Sequence, residues 1–226
     1  LARHLSPRLF NHYASADETI EALVFGVSGL LTRNINDDYS KKLIKEYHFL
    51  SKKHDLKSMD ASQWKFSRLM PNAFPPLRIA QWSKLWQVRG NLFSQVIRCG
   101  DAAMLRQLFS EVPSLYWQYH YDFGKPVKQE NRAPGKDLLN RIIINVVVPF
   151  LFAYGRAKGE SFYEQRALDL LDQLPSESNR ITRLYKQLGL QTVSAAESQA
   201  VLQWHSGYCK TKKCLNCAVG NAILKI

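Results

Sequence analysis

The 226-residue chain carries 31 Lys and Arg against 19 Asp and Glu, a net charge of +12, and 46% of its residues are hydrophobic. That apolar content is enough for one large domain or two small ones. Its four cysteines exclude a secreted disulfide scaffold and make a reducing cytoplasm the expected setting. The chain begins Leu-Ala-Arg-His, with no initiator Met, signal peptide or transit composition, so a fragment lacking its N-terminal part is expected.

In chain order, Ser15-Ala-Asp-Glu18 reads as a capping box opening a helix with Ile20, Leu23, Val24, Val27, Leu30 and Leu31 on one face. Gly26, Ser28 and Gly29 are small enough to let a neighbouring helix come close. Asn36 or Asp37 caps a second helix, apolar at Tyr39, Leu43, Tyr47 and Leu50, with lysines on its outer face. From Met59 to Pro76 the period is lost, and Pro71, Pro75 and Pro76 impose an extended or turning path. A helix with Ile79, Trp82, Leu85 and Trp86 inward then runs to Gly90. Asp101 caps the next, which faces in with Met104, Leu105, Leu108 and Phe109.

Pro113 ends that helix and introduces an aromatic segment with Tyr116, Trp117, Tyr119, Tyr121 and Phe123, expected to be a core cluster. The polar loop Lys125 to Gly135 follows, expected to be mobile and to mark a subdivision if residues 1–226 are not one helical domain. Ser161-Phe-Tyr-Glu164 and Ser194-Ala-Ala-Glu197 read as further capping boxes. Ser178 caps the helix between them, and a short helix from about Leu215 closes the chain. No alternating strand pattern or hairpin signal is present. The predicted fold is all-α, a bundle of nine or ten helices.

The most apolar run, Asp137 to Gly155, predicts a central helix buried on nearly all sides. Asp137, Arg141, Asn145 and Pro149 form its one polar stripe, and Pro149 predicts a kink. Those polar interruptions argue for a core helix rather than a membrane span.

Two motifs bear on function. Residues 58–100 carry six Lys and Arg against the single acid Asp60, and no acid follows Glu197. Positive charge so concentrated suits a polyanion such as nucleic acid. In the first stretch Lys65, Arg68 and Arg78 stand among Trp64, Phe66 and Phe74, cations for phosphates beside rings for bases. Lys210, Lys212 and Lys213 supply the second. The other motif is His205-x3-Cys209-x4-Cys214-x2-Cys217. It suits a structural Cys3His zinc site, or an iron–sulfur cluster if Cys99 joins as fourth thiolate. Reduced thiols or a Cys214–Cys217 redox pair are the bland readings. No GxGxxG, P-loop, HExxH or nucleophile elbow occurs, so no catalytic constellation is assigned.

Lys57-Ser-Met-Asp60, Trp64-Lys-Phe66, Arg68, Pro71, Phe74-Pro75, Arg78-Ile-Ala-Gln81, Phe123-Gly124, Ile143-Ile-Asn145, Pro149, Phe152-Ala-Tyr-Gly155, Tyr208-Cys209 and Cys214-Leu-x-Cys217 together resemble an uncharacterised bacterial family. It is known only as domain of unknown function 2851. Met70 stands where that pattern has a second Arg, and His205 where it has Lys. The resemblance implies the C-terminal half of a longer protein with a sheet-rich N-terminal half, and it supplies no activity. Two functions are therefore expected: a basic helical accessory domain engaging nucleic acid, or an interaction module packing against its own N-terminal half.

Overall fold

The computed structural model describes residues 4–13, 16–33, 37–69 and 73–224. Its helices are α1 (Pro7–Tyr13), α2 (Asp17–Val27), α3 (Asp38–His54), α4 (Pro75–Arg89), α5 (Leu92–Arg98), α6 (Ala102–Phe109) and α7 (Leu115–Gln118). After the loop come α8 (Lys136–Ile142), α9 (Val148–Lys158), α10 (Ser161–Gln173), α11 (Arg180–Gln187), α12 (Ala195–Trp204) and α13 (Ala218–Leu224). The fold is all-α apart from one short antiparallel hairpin, β1 (His120–Asp122) with β2 (Lys125–Pro126). Strands of three and two residues are too short to leave an alternating pattern, which is why the sequence reading has no hairpin. The chain divides into two compact units, residues 1–98 with 107–139 and residues 99–106 with 140–226.

The first unit is built on α2. Every residue from Ile20 to Leu31 is buried, so this helix is enclosed more completely than any stripe pattern requires. α3 and α4 both pack on it, and Leu43, Leu50, Leu77, Ile79, Ala80, Trp117 and Phe123 complete the core. Gly26 sits under Tyr47 of α3: an added Cβ would lie 2.1 Å from the tyrosine ring. Gly29 takes φ 75° with the Met59 carbonyl 2.1 Å from where its Cβ would be. These two glycines bring α3 and the segment after it against α2, as their small size predicts. Of the aromatic segment, Trp117 and Phe123 are core, while Tyr119 is exposed and Tyr116 and Tyr121 are half-buried; Trp117 is fully enclosed and stacks on Phe25 at 5.1 Å.

In the second unit α9 packs along α10, and α10 and α11 against α12. Leu151, Ala167, Leu170, Leu174 and Val201 are buried there. The run expected to be the buried hub is one continuous helix from Lys136 to Lys158 with a π turn, Ile143–Val147, in its middle. It is not buried on nearly all sides. Leu139, Ile143, Ile144, Val147, Val148, Leu151 and Gly155 turn inward, while Val146 and Phe150 are 59% and 55% exposed beside Arg141, Asn145 and Pro149. Apolar composition here marks a one-sided helix whose outer face mixes Val146 and Phe150 with Arg141, Asn145 and Pro149. It is long and apolar enough to cross a membrane by length and composition, with 44% of its most apolar window buried. Where a kink is expected at Pro149, the structure has a π turn just ahead of it. Val148 N–H reaches back five residues to Ile143, which widens the helix just where proline cannot donate.

Caps fall partly as the residue types predict. Asp37 accepts from Ser40 N–H at 2.9 Å, Asp101 from Met104 N–H at 2.8 Å and Ser194 from Glu197 N–H at 3.3 Å. Ser161 is instead the first residue of α10, and α11 is capped by Asn179, which forms a capping box with Thr182. Ser15, Asn36, Met70, Pro71, Asn72 and Lys225 lie outside the described residues. The loop expected to be mobile is tied down: Val127 N–H donates to Tyr119 O (2.7 Å), Glu130 N–H to Gln118 O (3.0 Å) and Gln81 Nε2 to Arg132 O (2.6 Å).

Replacing Gly26 with Ala should cost about 2 kcal/mol, because overpacking against Tyr47 outweighs the ~1 kcal/mol that Ala gains in a helix. Urea unfolding followed by circular dichroism measures it as a lower midpoint.

Candidate functional site

The turn Phe123-Gly124 closes the hairpin, with Gly124 at φ 64°. It aims the Asp122 carboxylate into the first unit's interior, where the side chain is 1% exposed. A buried carboxylate needs partners, and two cations supply them. Arg33 makes a forked pair, Nη1 to Oδ1 at 2.8 Å and Nη2 to Oδ2 at 3.0 Å, and Lys125 Nζ lies 3.1 Å from Oδ2. Burial pushes the carboxyl pKa up, but hydrogen bonds and charge from Arg33 and Lys125 outweigh it and hold the group below its ordinary value.

Both cations also lie over aromatic rings. The Arg33 guanidinium is 4.6 Å from the centre of Phe66, and Lys125 Nζ is 5.9 Å from that of Tyr121. Phe74 joins the two rings, 5.9 Å from Phe66 and 5.2 Å from Tyr121. The result is a row of three partly exposed rings with a fixed cation over the ring at either end. Nearby, Tyr116 stacks on both Tyr39 and His120 at 3.9 Å, and its hydroxyl accepts from Gly124 N–H. Burial, opposed by that N–H and reinforced by Asp37, pushes the phenol up to about 12.

The predicted cations divide. Lys65 and Arg68 are exposed on the segment that carries Phe66, and Arg68 stands at φ 60°, a left-handed conformation that a non-glycine residue rarely holds. Arg78 is half-buried on α4 and donates to Gln81 Oε1 at 2.9 Å. Trp64 is an anchor, its indole N–H donating to Ser28 O at 2.8 Å. Arg33, Tyr121, Asp122 and Lys125 are absent from the sequence-based set. Arg33 and Asp122 are 89 residues apart, and no local pattern joins them.

Lys210, Lys212 and Lys213 are exposed in the second unit, Lys212 at φ 55°. They lie between Cys209 and Cys214 of the cysteine motif. His205 to Cys209 forms a second π turn. It sets Cys209 Sγ 3.2 Å and His205 Nδ1 3.5 Å from the buried Tyr185 hydroxyl, whose pKa burial and the Cys209 sulfur raise to about 12. Cys217 is nearly buried, and its Sγ accepts the Trp204 indole N–H at 3.1 Å. The Gly220 N–H first, then Trp204 and the Val219 N–H, hold the Cys217 thiol below its usual range although burial opposes them. Cys214 is exposed, and Cys99 is buried with its carbonyl accepting from Arg166. Among the described residues no group of three or more His, Cys, Asp or Glu is gathered to hold a metal ion.

Residues 1–180 match the family described as "Protein of unknown function (DUF2851)". The chain belongs to that family. The match takes in Arg33, the ring row and the hairpin, and it ends before the cysteine motif. Comparison with curated proteins and with solved structures gives no match.

Asp122→Asn should destabilise the fold by about 3 kcal/mol at neutral pH, since it leaves Arg33 and Lys125 without their counter-charge. Because the folded pKa of Asp122 is depressed, its contribution is full above about pH 4 and is lost as pH falls through the folded value. The variant should therefore show a flatter loss of stability in acid, read from urea midpoints across that range. Arg68→Gly should leave stability unchanged or raise it by up to about 1 kcal/mol, by relieving the left-handed backbone, and thermal unfolding measures it.

Proposed function

We propose that the first unit binds nucleic acid through the Phe66–Phe74–Tyr121 row and its cations. One observation carries the reading: three partly exposed rings in sequence, with Arg33 over one end and Lys125 over the other. Aromatic faces stack on bases of any sequence, and flanking cations track phosphates. Asp122 neutralises part of Arg33 and Lys125, so exposed Lys65 and Arg68 provide the surplus charge. The chain's net charge of +12 supports the same partner class. Unpaired strands suit this arrangement best, because bases in a duplex have both faces covered by their neighbours.

Fluorescence anisotropy with labelled single- and double-stranded oligonucleotides, at several salt concentrations, tests this. The expected result is tighter binding to the single strand, with affinity falling as salt rises at a log–log slope of about −2 to −3 for three or four phosphate contacts. Arg68→Gly should weaken binding about tenfold while leaving the fold as stable as before. No binding even at low salt overturns the reading.

A further inference from the structure

Among the cysteines, Cys214 and Cys217 stand apart by their backbone. Residues 214–216 form a 3-10 turn, and Cys217 N–H donates to Cys214 O at 3.2 Å. Such a turn keeps its end Cα atoms within about 7 Å, which overlaps the roughly 4.4–6.8 Å that a disulfide spans. Two further contacts clamp it. Gly220 lies so close that an added Cβ would meet the Cys214 carbonyl oxygen at 2.3 Å, and Asn221 Nδ2 donates to Leu215 O at 2.7 Å. The two sulfurs are in unlike settings. Cys214 is exposed, while Cys217 is nearly buried and accepts the Trp204 indole N–H. Cys209 is directed elsewhere, to the Tyr185 hydroxyl.

We propose that Cys214 and Cys217 form a reversible dithiol–disulfide pair that exchanges with low-molecular-weight disulfides. The exposed Cys214 sulfur, as thiolate, attacks one sulfur of a disulfide such as oxidised glutathione. The S–S bond of the reagent breaks, and its first half leaves as a thiolate that takes a proton. The Cys217 sulfur, having given up its own proton, then attacks Cys214 in the mixed disulfide and expels the second half. The protein loses two electrons and two protons, and the reagent becomes two thiols. The Trp204 N–H, already on the Cys217 sulfur, supports that sulfur as an acceptor before its attack. This pair is independent of the nucleic-acid reading, which concerns the other unit.

The test is to incubate the fully reduced chain with oxidised glutathione and measure intact mass, free thiols and disulfide-linked peptides. The expected product is lighter by two hydrogens, retains two of the four thiols and links Cys214 to Cys217. Cys209→Ser should oxidise in the same way. Cys217→Ser should stop at a glutathione adduct on Cys214. Gly220→Ala, which pushes the turn away from α13, should shift the equilibrium about tenfold toward the dithiol, with circular dichroism confirming a folded chain. Four free thiols in excess oxidised glutathione, a bridge to Cys209, or a metal ion that copurifies and protects both sulfurs would each overturn the proposal.

Discussion

The first unit's surface depends on a carboxylate that solvent does not reach. Asp122 holds Arg33 and Lys125 at once, and those two cations could not otherwise keep fixed positions over Phe66 and Tyr121. A long cation on an open surface loses side-chain entropy when it is held in one geometry, and an exposed ion pair returns little for it. Burying the acid changes that balance. The desolvated carboxylate cannot be left alone, so both partners stay. The hairpin turn and the chain just after the 3-10 turn Leu30–Thr32 are tied together by one oxygen pair.

This explains why the basic segment has two kinds of cation. Arg33 and Lys125 are ordered and largely compensated, while Lys65 and Arg68 are exposed. Arg68 in addition occupies a left-handed backbone conformation that glycine would hold more cheaply. The rings divide likewise: Trp64 and Trp117 serve the core, and Phe66, Phe74 and Tyr121 share themselves between core and surface.

Much of this was legible in the residues, but not the centre of the fold. The close-approach glycines beside Val27 and the caps at Asp37, Asp101 and Ser194 read correctly, because each is a local rule, whereas Met104, assigned by period to an inward face, is exposed. Hydrophobicity pointed to Asp137–Gly155 as the hub, whereas α2, shorter and with acids at its start, is the helix enclosed from Ile20 to Leu31. Apolar content measures what a helix can bury, and only its neighbours decide how much it does bury. Lys65, Arg68, Phe66 and Phe74 were visible as a basic, aromatic segment, and Tyr121 was not joined to them. Asp122 and Arg33 were not, since nothing in a local window connects residues so far apart in the chain. The Cys-x2-Cys spacing was plain, while the separate destinations of Cys209 and Cys217 depend on Tyr185 and Trp204, which periodicity assigned simply to helix faces.

The π turn at Ile143–Val147 has a consequence for how the family's chains can vary in length. A π turn is an α-helix carrying one residue too many, so the segments before and after it keep the alignment they would have without that residue. Elsewhere in a helix, losing one residue would swing all that follows by about 100° and turn Leu151 and Gly155 away from α10. At exposed Asn145 or Val146 the loss would leave both packed faces where they are. The obstacle would be Pro149, whose ring the wider turn accommodates and a regular helix would not. Relatives one residue shorter here should therefore also lack the proline: the extra residue and Pro149 are inherited, or lost, as a pair.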